Sequence, residues 1–270
     1  MLHISLASEI LFHIGPLPIT NTLVTSWVAV IVICLIAYFG TKNTEIVPKG
    51  FANLFEGIIE AIYNLVHGIM EDRKLTRRVL PFIATFLLLI TLSNWLGLFP
   101  GVGTIGFYEI GEHGKEFVPF LRSPNSDLNS TLALAIVSIV VTQFFGIAAI
   151  GFFKYGKKFI NFSGIIPFFV GILELVGEVA HLISFSFRLF GNVFAGEVLL
   201  AVIAYLAAYV APVPFYFLEL FVGFIQALVF GLLTLVFMKT AMADHSEHEE
   251  HTEHAKPTKE VAAKEAKSSH

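Results

Sequence analysis

The chain has 270 residues, 56% of them hydrophobic, and a mean hydropathy of +0.77, which excludes an ordinary soluble domain. Its formal net charge of −4 lies mostly in the connections and the C-terminal tail, so it carries no signal for nucleic acid. A single cysteine, Cys34, excludes an intrachain disulfide.

Several apolar runs approach or exceed the ~20 residues that cross a bilayer as a helix. They are continuous rather than alternating, which argues against a β-barrel, so the fold class is an all-α polytopic membrane protein. Residues 1–22 lack the basic segment and small-residue cleavage site of a signal peptide, and the Arg- and Ser-rich character of a transit peptide. Entry into the membrane uncleaved is expected. The first span is placed at residues 23–39, between Pro16-Leu17-Pro18 and Gly40. In residues 50–71, Phe51, Leu54, Phe55, Ile58, Ile59, Ile62, Leu65, Val66 and Ile69 recur at helical spacing. Asn53, Glu56, Glu60, Asn64, His67 and Glu71 fall largely elsewhere. That pattern predicts an amphipathic helix lying in the interface plane. Residues 80–99 form the second span, closed by Pro100-Gly101. Residues 101–128 read as a polar loop, and residues 132–153 as the third span.

Residues 165–209 are different. As one helix of about 45 residues they would measure ~68 Å, about twice the hydrocarbon thickness. From Glu174 to Tyr209 there is no proline and no turn-forming cluster, which favours one steeply tilted helix over two spans. Ala211-Pro212-Val213-Pro214 makes a hairpin turn and residues 215–238 return, so a tilted helix hairpin occupies about 165–209 and 215–240. Residues 1–242 are expected to form a single integral membrane domain, and residues 243–270 a disordered hydrophilic tail. His245, His248, His251 and His254 in that tail could bind a transition metal weakly, although a solvated tail is the favoured reading.

Lys42, Lys49, Arg73, Lys74, Arg77 and Arg78 crowd the first connection, and Lys154, Lys157 and Lys158 the third. The second carries Glu109, Glu112, Glu116 and Asp127 against Lys115 and Arg122, and the last has no Lys or Arg. By the positive-inside rule the first and third connections are cytoplasmic. The N-terminus is then outside and the C-terminus inside, which requires five crossings.

Arg188 lies within residues 182–209, a run otherwise almost free of charge. Guanidinium is effectively always charged, and a charge at bilayer depth costs ~3 kcal/mol on the mildest scales, so such a residue is normally retained for work. The alternative is an arginine at a helix end, reaching back to the headgroups. Apolar sequence continuing for about 20 residues beyond it argues against that. At about 100° per residue, Glu174, His181, Ser184, Arg188 and Asn192 share a stripe about 80° wide, with Gly177 and Ala195, while Glu197 points to the opposite side. In the returning helix Glu219, Gly223 and Gln226 share a face. Hydrogen-bond glue between helices is the competing explanation for these polar groups.

Phe187-Arg188-Leu189-Phe190-Gly191-Asn192, followed by Ala195-Gly196-Glu197, resembles the signature of subunit a of the F-type ATP synthase. Phe12-His13-Ile14-Gly15-Pro16-Leu17-Pro18-Ile19-Thr20-Asn21 is similar to the bacterial members. So are Asn94 before Leu98-Phe99-Pro100, and Ser123-Pro124-Asn125-Ser126-Asp127-Leu128-Asn129 before the third span. The resemblance covers about residues 8–243. It implies that Arg188 is the essential arginine facing a rotating ring of c subunits. It further implies that Glu197, Glu219, Gln226, Asn192 and Glu174 belong to two proton half-channels. Glu219, Glu197 and Gln226 are assigned to the outer pathway, and Glu174, His181 and Ser184 to the inner one. Some bacterial members carry an acid where this chain has Gly97. The implied function is proton translocation coupled to rotation and ATP synthesis, with no cofactor and no catalysis by the chain itself. Implied partners are the c-subunit ring, the b subunits of the peripheral stalk, the soluble ATPase head and the lipid bilayer, in a bacterial inner membrane. A secondary transporter or channel using Arg188 as an anion site is the rival reading. The absence of internal repeats and broken-helix motifs argues against it.

Overall fold

The computed structural model describes residues 8–15, 17–42, 50–99, 101–102, 105–111, 114–159, 165–207 and 210–243. The expected tail beyond residue 243, with its histidines, lies outside the described residues. Strands β1 (Ile10–Ile14) and β2 (Leu17–Thr20) pair antiparallel, turning through Gly15 at a φ of 62° that favours glycine. Thr20 caps helix α1 (Asn21–Thr41), its hydroxyl accepting the Leu23 N–H at 3.3 Å. Helix α2 (Phe51–Met70) stops at Glu71, whose φ of 60° lets its N–H reach the His67 carbonyl. Asp72 then caps α3 (Arg73–Leu98), accepting the Lys74 N–H at 2.6 Å. The helix therefore starts at Arg73 rather than at residue 80, because its first turns are basic and fall outside the apolar window.

The region read as a polar loop contains an antiparallel hairpin of β3 (Gly106–Gly111) and β4 (Gly114–Pro119), then a single 3-10 turn at Pro124–Ser126. Asp127 caps α4 (Leu128–Ile150) by accepting the Asn129 N–H at 2.9 Å. The third span ends there and not at residue 153. Gly151, at a φ of 95°, breaks the chain, and Phe152 and Phe153 open a separate short helix, α5 (Phe152–Phe159). Helix α6 (Ile165–Leu206) is unbroken: Pro167 falls in its first turn, where proline is tolerated, no proline follows it, and the helix ends at Leu206. Helix α7 (Pro212–Met242) begins on Pro212 itself, since proline at the first helical position loses no hydrogen bond.

Among the described residues, five helices are long and apolar enough to cross a membrane: α1, α3, α4, α6 and α7. The helix α2 packs its second half, Val66 and Met70, against Val79 and Ile83 of α3 and Leu235 and Met238 of α7. A second core joins Phe86 and Ile90 of α3, Ala135 of α4, Phe185 and Leu189 of α6, and Phe230 of α7. Hydroxyl pairs stitch the helices together at buried positions, Ser138 with Thr234 at 2.8 Å and Thr131 with Ser186 at 3.1 Å. Large apolar side chains such as Phe144, Leu173 and Phe217 stand exposed on the outside. That is the inverse of a water-soluble surface and fits a multi-pass membrane protein.

Candidate functional site

Arg188 stands on the outer face of α6, exposed beside Ile183 and Phe187, which are 50% and 56% exposed. Its Nη2 donates to Ser184 Oγ one turn back at 3.3 Å. Among the described residues no carboxylate lies within ion-pair distance of it. A full charge is thus presented outward from an apolar helix, midway along the chain's longest span. One turn further, Asn192 Nδ2 donates to Gln226 Oε1 of α7 at 3.3 Å, joining the two arms of the hairpin. His181, one turn on the other side of Ser184, lies against Phe237 of α7 with ring centroids 4.0 Å apart. These four residues of the predicted stripe line one continuous flank of the hairpin. Glu174 lies ~21 Å from Arg188 along the helix, at about 1.5 Å per residue.

Glu174 and its neighbour Glu178 stand beside Tyr155 of α5. The Tyr155 hydroxyl is pushed up from its ordinary 10.0 to about 12, first by burial and then by the charges of Glu178 and Glu174. The Tyr155 hydroxyl donates to Gln143 Oε1 of α4. Its ring lies where a side chain on Gly146 would be, the nearest atoms falling 2.6 Å from a Cβ built there. Nothing in the sequence singled out Tyr155, because its partners come from distant segments.

At the other end of the hairpin, Glu197 turns away from Arg188, as its angular position requires, and meets Arg122. Arg122 donates from Nε at 3.3 Å and from Nη2 at 3.1 Å to the same oxygen, Glu197 Oε2. Counted in the sequence merely as a loop charge, Arg122 is 13% exposed and is built into the fold. Glu219 of α7 is buried, and its carboxylate fills the notch left by Gly196 of α6, where any Cβ would overlap it. Glu197 and Glu219 line a shared cavity of about 20 Å³ with Asn94, Gly97, Ser123 and Gly223, room for about one water. Gly97 packs so closely on Ser123, with Cα 3.0 Å from a hypothetical Cβ, that no acid could stand there without displacing that turn.

An amide chain closes this pocket. The Gly223 carbonyl can only accept, so Asn94 must present Nδ2 to it, at 3.0 Å. Asn94 Oδ1 then requires a donor and receives Asn125 Nδ2 at 2.7 Å. Asn125, 1% exposed, is left with Oδ1 as a buried acceptor without a partner among the described residues. Asp127 anchors the same region, accepting from Ser8 at 2.7 Å and from Thr22 at 3.1 Å while it caps α4. Arg122, Asn125 and Asp127 are the functional candidates that helical periodicity could not find, since they lie in a connection and act across long separations.

Residues 23–239 match the family model described as ATP synthase A chain. An ATP synthase subunit a from Campylobacter jejuni subsp. jejuni serotype O:23/36 is 34% identical over 230 residues, 85% of this chain and 88% of that protein. One from Syntrophobacter fumaroxidans is 35% identical over 218 residues, 80% of this chain and 82% of that one. An ATP synthase subunit a 2 from a Bradyrhizobium species is 30% identical over 238 residues, covering 88% and 95%.

Proposed function

From the premise that the chain belongs to the ATP synthase A chain family, the membrane proton-translocating component of the F-type ATP synthase, we propose that Arg188 separates two proton half-channels facing a ring of c subunits. The observation that carries this reading is the outward, acid-free presentation of Arg188 from an apolar helix face. A bare guanidinium facing hydrocarbon is costly. A partner that brings a carboxylate past that face supplies the missing counter-charge.

A c-subunit carboxylate arriving at Arg188 meets a fixed positive charge in low dielectric, which favours its ionised form. It releases its proton into one half-channel, moves on, and is reprotonated from the other before facing lipid. Arginine suits this barrier because it does not give up a proton, whereas a desolvated lysine could. The outer half-channel is lined by Glu197, Glu219 and Gln226, with Asn192 bridging to the hairpin's centre. The inner one runs by Ser184, His181 and Glu174. ATP chemistry belongs to the soluble head, and this chain is non-catalytic by itself. The b subunits of a peripheral stalk hold it against the ring. A bacterial inner membrane, with the N-terminus outside and the C-terminus cytoplasmic, is supported by the basic first and third connections and by the bacterial relatives. The long hairpin lies tilted along the ring's outer wall, α2 lies in the interface, and the tail beyond residue 243 takes no part in conduction.

The experiment is to reconstitute the complex with Arg188→Ala and measure ATP-driven proton pumping. Loss of pumping with the complex assembled supports the reading, and normal pumping overturns it.

A further inference from the structure

Two glutamates line one water-sized pocket, yet their surroundings differ. Glu197 is held by two nitrogens of Arg122, at 3.3 and 3.1 Å on one oxygen. The Arg122 backbone is itself pinned, its N–H donating to Thr25 Oγ1 of α1 at 3.2 Å. Among the described residues, Glu219 makes no hydrogen bond or ion pair, though it is only 9% exposed. The notch at Gly196 holds its carboxylate beside the pocket, and the other lining residues are amide, hydroxyl, apolar or glycine. Among the described residues, the charged groups bearing on Glu219 are therefore Glu197 and, through it, Arg122.

We propose that Arg122 is a positioning residue of the outer half-channel, holding Glu197 as a fixed paired anion so that Glu219 alone takes and gives the proton there. The inference rests on the half-channel reading above and divides the labour within it. The half-buried Arg122–Glu197 pair is close to neutral as a unit, but removing one partner exposes the whole charge of the other. Without Arg122, Glu197 becomes a second free carboxylate beside Glu219, and two such groups share a proton rather than pass it on. Without Glu197, the Arg122 guanidinium loses that acceptor, and its positive charge bears on Glu219 without the intervening anion, favouring the ionised form. Either single loss therefore stalls the relay. Losing both leaves Glu219 among neutral groups, still able to exchange its proton with one water.

The test is passive proton uptake by vesicles holding the assembled membrane sector with the soluble head stripped away. Glu197→Gln and Arg122→Gln should each slow uptake about tenfold, the effect of about one pK unit on the exchanging group. The double variant Arg122→Gln/Glu197→Gln should recover to within about threefold of the parent, and Arg122→Lys, which keeps the charge, should retain at least about half the flux. A merely structural ion pair would give a double variant as slow as the slower single one, and that result, or a Glu197→Gln variant conducting like the parent, overturns the proposal. Should Arg122→Gln fail to assemble, Arg122→Lys decides alone: flux lost at full assembly overturns the proposal and flux retained supports it. Glu219→Gln should slow uptake about a hundredfold in every background. If it conducts normally, the outer half-channel reading itself fails. If it is slow while the double variant does not recover, only the role of Arg122 is lost.

Discussion

Arg188 and Glu219 are each without an ionic partner among the described residues, yet one is exposed on an apolar flank and the other is buried. On the half-channel proposal, charge rather than shape is the property required of Arg188. Arg188→Ala should abolish ATP-driven pumping with assembly intact, and Arg188→Lys should fare little better at coupled transport, because a desolvated ammonium can deprotonate. Measuring pumping and assembly on the same membranes checks both, and normal coupling in either variant removes the central role of the arginine. On the same proposal, the property required at Glu219 is a proton that comes and goes. Glutamine keeps the size but cannot titrate, so conduction should fall strongly in Glu219→Gln. Glu219→His should keep part of it, since imidazole titrates near neutrality. Gly196→Ala tests the same carboxylate without touching its chemistry: the added methyl must push Glu219 out of its notch, so conduction should drop although every polar group remains. Arg188 and the glutamates were legible in the sequence because polar residues are conspicuous in apolar helices. Arg122 was not, and Asn125 was legible only as one letter of a motif, because a charged or amide residue in a connection looks like ordinary solvated loop until α6 and α3 fold against it.

The spanning helices were legible from length and hydropathy alone, and their ends were not, for reasons specific to each. Asp72 starts α3 among basic residues that an apolar window ignores. At α4 the apolar run continues through Phe152 and Phe153, so only the positive φ of Gly151 marks the break. The short helix α5 that follows owes its position to Tyr155, which reaches Gln143 and covers Gly146. A tyrosine raised from 10.0 to about 12 on folding stabilises the folded form fully below pH 10.0 and loses that contribution as pH rises through about 12. Thermal stability of the detergent-purified membrane sector should therefore fall between those pH values, and Tyr155→Phe should remove that part of the fall. At neutral pH the same variant should cost about 1 kcal/mol, the worth of one hydrogen bond. An unchanged alkaline profile in Tyr155→Phe would show that another group governs the step.

The whole molecule must place its two ends on opposite sides of the bilayer if all five candidate spans cross it. Deleting residues 245–270 should leave assembly and conduction nearly unchanged, because a hydrophilic low-complexity segment has no core to contribute. Failure to assemble, or a zinc effect on flux seen only in the full chain, would give the tail a role. Orientation rests on the charges of the connections, and so depends on which of those charges face solvent. Two of the charges counted in the second connection turn out to be built into the fold, Asp127 buried and Arg122 half-buried. Because they have opposite sign, removing them leaves the acidic excess of that connection in place, and Asp/Glu weigh little in the rule anyway. The proposed orientation therefore rests on the basic clusters at Arg73–Arg78 and Lys154–Lys158. Exposed positions on the two sides make the test direct: Ile105 in the second connection is 69% exposed and Phe153 in the third is 86% exposed. In a Cys34→Ser background, Ile105→Cys should react with a membrane-impermeant maleimide on intact cells, and Phe153→Cys only on inverted vesicles. The reverse pattern would invert the topology and exchange the two half-channels, and labelling of both from one side would show that α3 and α4 do not each cross.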